Sequence, residues 1–346
     1  MSAPFPLRSV CRQCGRPSDL TPGAACPEDG AVLVDAVSLA AAPDDALMGR
    51  KLGDGRYTVV ARLGAGGEGT VYRAIQGAVH RDVALKVIRS GSADPMRRER
   101  FFREARALSK LSHRSSVMLF DFGQEADGLT YIVFELAAGR TLSDVMAEEA
   151  PFDPPRAVRV ASQVLDALEE AHGQGIVHRD IKPSNVMIDG NDQVKVLDFG
   201  VARLTDPHQR ENDLTGAMPV GTPQFMAPEQ SRGEGVGPTA DLYGVGVMLY
   251  YMLTGAPPFD GESAIETIFA HREQPIPVMP DTLDIPDALE QAVAWALAKQ
   301  PADRPTTAAV LRGAIIEALG GPQRADRASS GPQAPAAVSV PPRSLP

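Results

Sequence analysis

The sequence predicts an α+β fold in which a small β-rich lobe precedes a larger, mainly helical one. Three observations point there. The chain has 346 residues, 43% of them hydrophobic, which is enough for a large core and roughly two domains of ~150 residues. Between residues 56 and 136, short β-rich runs alternate with Gly-bearing turns. Beyond Gly139, apolar residues recur at helical spacing.

Residues 1–35 are rich in Cys, Pro and Gly and form a segment of their own. Residues 36–55, with Ala42-Pro43-Asp44-Asp45, are small and polar and predict a linker. Strands are expected over Tyr57–Leu63, Thr70–Ile75 and Val83–Ile88. Phe101, Phe102, Ala105, Leu108 and Leu111 then mark one face of a charged helix within Pro95–Leu111. Two further strand-like runs, Val117–Phe122 and Thr130–Leu136, complete a small lobe spanning 56–137. The large lobe, 138–319, opens with a helix over Pro155–His172, whose apolar face carries Val158, Ala161, Val164, Leu165 and Leu168. Helices follow over Ala240–Leu253, Glu262–His271, Asp287–Lys299 and Thr306–Leu319. Residues 320–346 are Pro, Ala, Ser and Gln with few large apolar groups, a composition that predicts disorder.

With 34 Lys plus Arg against 44 Asp plus Glu, the net charge is −10, which argues against a general nucleic-acid binder. Three cysteines cannot make a disulfide framework, so a cytoplasmic protein is expected. The longest apolar run, Leu242–Leu253, is about 12 residues against the ~20 a bilayer needs, and predicts a buried core helix. Arg8 and Arg12 are not followed by an apolar stretch, so no signal peptide is expected.

The chemistry-bearing residues lie in three groups. Gly64-Ala65-Gly66-Gly67-Glu68-Gly69-Thr70-Val71 joins two strands, either as an ordinary glycine hairpin or as a loop whose glycines let the backbone approach phosphates without an intervening Cβ. A dinucleotide fingerprint would need a helix directly after it, whereas Thr70-Val71-Tyr72 predicts a strand. Val83-Ala84-Leu85-Lys86 sets a Lys in an apolar strand, either pointing to solvent from an alternating strand or gripping a phosphate while held by a carboxylate such as Glu104. His178-Arg179-Asp180-Ile181-Lys182-Pro183-Ser184-Asn185, followed after an apolar run by Asp198-Phe199-Gly200, combines a carboxylate, a cation and hard-oxygen donors suited to Mg²⁺.

These motifs, in this order across about three quarters of the chain, resemble the eukaryotic-like (Hanks-type) serine/threonine protein kinases, above all their bacterial members. Gly221-Thr222-Pro223, Ala227-Pro228-Glu229-Gln230, Asp241 and Arg304 extend the match. The resemblance implies a bilobal protein-kinase fold, ATP and Mg²⁺ as cofactors, and Ser/Thr residues of proteins as acceptors. Lys182 and Thr222 match the serine/threonine form of the pattern.

By the same resemblance, Gly64, Gly66 and Gly69 cover the phosphates, and Leu63, Val71 and Ala84 frame the nucleotide. Lys86 holds the α- and β-phosphates and pairs with Glu104. Glu135 and Ala137 offer backbone groups to adenine behind the gatekeeper Phe134. Asp180 serves the acceptor hydroxyl, Lys182 touches the γ-phosphate, and Asn185 and Asp198 bind Mg²⁺. Glu229 pairs with Arg304. Arg179 clamps a phosphate gained by autophosphorylation, with Thr215 the expected site and Thr222 serving the catalytic loop; a kinase dimer would phosphorylate in trans. Many bacterial relatives continue into a membrane anchor, so the chain can be a piece of a longer protein.

A second DFG, Asp121-Phe122-Gly123, precedes the catalytic loop and is expected at a strand end without a metal role. Arg97, Arg98, Arg100, Arg103 and Arg106 make the one basic patch, either a solvated helix face or a contact for a phosphorylated segment. Gly244 stands where the family commonly has Ser. At the N-terminus, Cys11-x-x-Cys14-Gly15 and Cys26-x-x-Asp29-Gly30 resemble a zinc ribbon with Asp29 in place of a fourth Cys. A Zn²⁺ site and a metal-free degenerate ribbon are both open. No catalytic motif lies in residues 1–45, so activity is expected to survive their removal.

Overall fold

The computed structural model describes residues 9–66, 69–88, 95–199 and 223–320, the side chains of 95–98 and 100 excepted. The expected tail from residue 321 and the activation-segment residues 200–222, with Thr215 and Thr222, lie outside the described residues, as do Gly67 and Glu68.

The chain opens with a three-stranded antiparallel sheet of β1 (Ser9–Cys11), β2 (Pro17–Ser18) and β3 (Leu33–Asp35), with β1 in the centre. The side chain of Asp35 then accepts from the Ser38 amide and caps a short helix, α1 (Ala36–Ala41). A six-stranded antiparallel sheet follows. It is built from β4 (Lys51–Leu52), β5 (Tyr57–Gly66), β6 (Gly69–Gln76), β7 (Arg81–Ile88), β8 (Leu119–Gln124) and β9 (Thr130–Glu135), in the order β4-β5-β6-β7-β9-β8. Helix α2 (Pro95–Leu108) packs on this sheet through Phe101 and Phe102, whose rings meet Phe122 of β8.

The large lobe contains α3 (Leu142–Glu149), α4 (Pro154–Gly173) and a small sheet of β10 (Arg140–Thr141), β11 (Val186–Ile188) and β12 (Val194–Val196). Beyond the undescribed stretch lie α5 (Pro228–Ser231), α6 (Pro238–Thr254), α7 (Ala264–Glu273), α8 (Asp287–Ala296) and α9 (Ala308–Ala318). Helix α6 is the expected core helix. Its residues from Ala240 to Tyr250 are all buried, and α4 and α8 pack against it. Among the described residues no helix is long and apolar enough to cross a membrane.

The strands and helices expected from periodicity are present with shifts of a few residues at their ends. No element is expected at β1–β4, β10, β11, α1, α3 or α5: two or three residues carry no period, and a helix of four to eight shows it at most about twice. The linker expected over 36–55 is corrected. That stretch contains α1 and β4, and it sends Met48 and Leu52 into the small-lobe core beside Val34, Tyr57 and Tyr72. Its small polar residues make turns and caps rather than a free tether. The Tyr72 hydroxyl donates to Asp45 at 2.9 Å. Val34 and Asp45 thus tie residues 9–45 to the small lobe.

Glu229 of α5 and Arg304 make the expected pair, bidentate at 2.7 Å on both arms and buried. Arg304 also donates to the carbonyls of Ala298, Thr239 and Lys299. Removing one partner of such a pair leaves an uncompensated buried charge. Arg304→Ala is expected to destabilise the protein by about 3–5 kcal/mol, measured by urea unfolding at neutral pH; a loss below 1 kcal/mol would show that solvent reaches Glu229.

Candidate active site

Strands β5 and β6 run antiparallel into the glycine turn, with Gly64 opposite Val71, Ala65 opposite Thr70 and Gly66 opposite Gly69. A Cβ on Gly64 or Gly66 would meet nothing within 4 Å, so that side of the turn is open to a ligand. Gly69 differs. Its φ is +153°, and a Cβ there would sit 2.1 Å from the Val87 carbonyl oxygen. Glycine at 69 is demanded by the sheet, independently of any phosphate. Leu63 is exposed on β5, while Val71 and Ala84 are half-buried on β6 and β7.

Lys86 faces the interior from β7, opposite Val71 on one side and Ile132 on the other, and is 4% exposed. Its Nζ lies 3.1 Å from Oδ2 of Asp198. The two motifs, one per lobe, therefore meet at one ion pair. Glu104, in the third turn of α2, is half-buried beside the fully buried Ala105. Phe134 is buried at the end of β9. The Glu135 amide donates to the Met118 carbonyl, and its carboxylate accepts from Lys195 Nζ at 2.8 Å; Ala137 follows in the connection to the large lobe.

The catalytic-loop residues converge. Asp180 Oδ2 receives Lys182 Nζ at 2.8 Å and Asn185 Nδ2 at 3.0 Å. Asn185 Nδ2 also donates to the Asp180 carbonyl, so its NH₂ group is committed and Oδ1 is the atom it can offer a cation. The Leu197 amide donates to the Asn185 carbonyl, which sets Asn185 beside Asp198. His178 links the two motifs. Its Nδ1 accepts from the Asp180 amide, so Nε2 carries the proton and donates to the Leu197 carbonyl at 2.7 Å, with the ring edge-on to Phe199.

Arg179 and Asp198 hold φ of +70° and +56°, a conformation disfavoured for residues with a Cβ. Sequence reasoning missed what holds this backbone. The buried carboxylate of Asp241, in the first turn of α6, accepts from the His178 amide at 2.8 Å, the Arg179 amide at 2.6 Å and His172 Nε2 at 2.8 Å. From α5, Gln230 Nε2 donates to the Arg179 carbonyl. A lone carboxylate opening an otherwise apolar helix was the available signal. Gly244, one turn further, is tight for a related reason, since a Cβ there would lie 3.0 Å from both the Ile181 carbonyl oxygen and its Cβ.

The second DFG lies in the small-lobe sheet, remote from this loop. Asp121 sits within β8, at an irregularity in its pairing with β9, rather than at the strand end expected. It accepts from the Tyr57 hydroxyl at 2.7 Å and pairs with the Arg56 guanidinium. Of the basic patch, Arg103 and Arg106 are exposed on α2; the side chains of Arg97, Arg98 and Arg100 lie outside the described residues.

A second cluster forms at the N-terminus. One ligand atom from each of Cys11, Cys14, Cys26 and Asp29 can be chosen so that all four lie within 4.8 Å of one another. The two halves repeat one turn. Cys11 N donates to Arg16 O and Gly15 N to Cys11 O; fifteen residues on, Cys26 N donates to Ala31 O and Gly30 N to Cys26 O. Gly15 and Gly30 share a φ of +72°, and Asp29 occupies the position of Cys14. A Zn–S distance of ~2.3 Å sets tetrahedral edges of ~3.8 Å between sulfurs and ~3.5 Å from sulfur to a carboxylate oxygen. The Cys14–Cys26 separation is 3.7 Å, and Cys11 Sγ lies 3.3 and 3.4 Å from the Asp29 oxygens. The donor set fits a thiolate-rich zinc site, and the Asp29 carboxylate is oriented by the Ala31 amide, from which it accepts at 2.9 Å.

The protein kinase domain model matches residues 57–315. The serine/threonine-protein kinase pkn3 of Myxococcus xanthus is 42% identical over 271 residues, covering 75% of this chain and 49% of that protein. The serine/threonine-protein kinase PknB of Mycobacterium tuberculosis is 40% identical over 271 residues, covering 77% of this chain and 43% of that protein. The chain thus spans about half the length, or less, of these curated relatives. The crystal structure of the Mycobacterium tuberculosis PknI kinase domain aligns with a TM-score of 0.59 at 28% identity, covering 77% of this chain and 96% of that one.

Asp241→Asn would turn an NH₂ group toward amides that already donate. The substitution is expected to cost about 2–3 kcal/mol, read by chemical denaturation; an unchanged stability would remove Asp241 as the anchor of the loop.

Proposed function

Because the chain belongs to the protein kinase domain family, we propose that it transfers the γ-phosphate of ATP to serine or threonine hydroxyls of protein substrates. The observation that carries this reading is the convergence of Asp180, Lys182, Asn185, Asp198 and Lys86 across the junction of the lobes. Two hard-oxygen donors, the Asp198 carboxylate and Asn185 Oδ1, suit Mg²⁺, which when bound with ATP neutralises charge on the transferring phosphoryl group. Lys182 and the Asn185 amide fix the Asp180 carboxylate so that it can orient the acceptor hydroxyl and take its proton. Lys182 then lies beside the phosphoryl group, and Lys86 offers its charge to the α- and β-phosphates. The glycine turn covers those phosphates, with Leu63, Val71 and Ala84 framing the base and the backbone of Glu135 and Ala137 meeting adenine. Positioning and charge neutralisation account for most of the catalysis in such a reaction.

Three further elements belong to this reading. Zn²⁺ is held by Cys11, Cys14, Cys26 and Asp29, since ~25 residues without a core of their own need a staple. Activation follows autophosphorylation at Thr215, whose phosphate would add up to about −2 charge for Arg179 to clamp; a kinase dimer would do this in trans, and Thr222 would serve the catalytic loop. The cytoplasm is the compartment that supplies ATP and keeps free thiols reduced.

Initial phosphotransfer rates of three single variants test the assignment. Asp180→Asn and Asp198→Asn are each expected to lower the rate by about 10²–10³ or more, with circular dichroism unchanged. Asp121→Asn is expected to keep its rate and lose about 1 kcal/mol of stability with its bonds to Tyr57 and Arg56. The opposite pattern, with Asp121→Asn inactive and Asp198→Asn active, would overturn the register. Thr215→Ala is expected to be less active than the parent; equal activity, with no phosphate mapped to residues 200–222, would sink the proposed switch.

A further inference from the structure

The cysteine module and the glycine turn are joined by a short path of packed residues. β3 alternates between the two. Leu33 packs on Cys11 and Cys26, while the next residue, Val34, enters the small-lobe core with Met48, Tyr57 and Val59, and both are fully buried. Arg12, between the first two cysteines, donates from Nη1 to the Met48 carbonyl at 2.8 Å. Asp35 caps α1, and from α1 the Ser38 hydroxyl donates to the Arg62 carbonyl, two residues before Gly64. Gly49 and Arg50 exchange backbone hydrogen bonds with Val59 in the same strand. Along Val59–Arg62 the outer edge of β5 is thus held by the N-terminal module, and β5 is one arm of the turn that covers the phosphates.

We infer that the ion held by Cys11, Cys14, Cys26 and Asp29 sets the nucleotide affinity of the small lobe, by fixing β3 and α1 and through them the β5 arm of the glycine turn. The inference rests on the zinc reading above. Without an ion, the two cysteine turns lose their common centre, and Leu33, Val34 and Arg12 lose the frame that orients them on β5. The β5 arm, with Gly64 and Gly66 at its end, then samples more conformations, and nucleotide binding must order it. The coupling is reciprocal, so bound nucleotide tightens the hold on zinc by the same factor.

The test uses the full chain, purified without chelators, and reads two quantities: zinc per chain by elemental analysis, and the Kd of a fluorescent ATP analogue in excess Mg²⁺. About one zinc per chain is expected. Its removal by a zinc chelator should weaken the analogue by about 5- to 150-fold, the usual span of coupling between linked sites, and added zinc should restore it. An Arg12→Ala/Ser38→Ala double variant keeps all four ligands. It should retain zinc and bind the analogue more weakly than the zinc-loaded parent. No zinc in the parent would defeat the zinc reading, and the coupling with it. Zinc present, with a stripped but folded protein of unchanged Kd, would overturn the coupling and leave the zinc site standing. Should stripping unfold the chain, the zinc-loaded double variant decides, and a Kd equal to the parent's overturns the coupling.

Discussion

The geometry of the candidate site hangs on one buried carboxylate. Asp241 receives two consecutive backbone amides and an imidazole, and so holds the His178–Arg179 corner in a left-handed conformation that an unanchored chain would leave. The rest of the site is built outward from that corner. It aims Asp180 outward, lets His178 bridge to Leu197, and so fixes where Asp198 emerges to meet Lys86. The anchor is effective because α6 is itself immobilised, buried on nearly every side. A carboxylate at a helix N-terminus is also favoured by the helix dipole, which offsets part of its desolvation.

Two kinds of charge pairing serve different ends. Glu229 with Arg304 is dry and bidentate, and ties α5 to the loop before α9. Pairs such as Arg140–Glu148 and Arg16–Glu28 are exposed and screened, and pairs of that kind contribute little. Lys86–Asp198 lies between these extremes, with the Lys buried and the Asp one-third exposed, as suits groups that must also face a charged ligand.

The reach of the sequence was uneven for physical reasons. The convergence of Asp180, Lys182, Asn185 and Asp198 was legible because His178–Asn185 and the run into Asp198 are contiguous motifs with fixed short spacings. The small-lobe strands were legible from β-rich runs between glycine turns. The docking of residues 9–52 was not, because it rests on single contacts between distant positions, such as Arg12 with Met48 and Tyr72 with Asp45, that leave no period. Gly69 was assigned to phosphates from its motif, while its backbone contact with Val87 is a property of strand packing that no spacing encodes. Asp121 showed the reverse hazard, a motif whose letters recur in a strand with other work, the holding of Tyr57 and Arg56.

The burial of α6 has a consequence for synthesis on the ribosome. The helix is buried around most of its circumference. Among the described elements packed against it, α4 and residues 223–225 precede it in the chain, whereas α8 comes later, and so does Arg304, the partner that neutralises Glu229. For some 50 residues of elongation, one flank of α6 and the carboxylate just upstream are made before the groups that cover them. The large lobe closes only when its last helices arrive, so nascent chains truncated in that interval carry the exposed apolar surface that chaperones and aggregation both recognise.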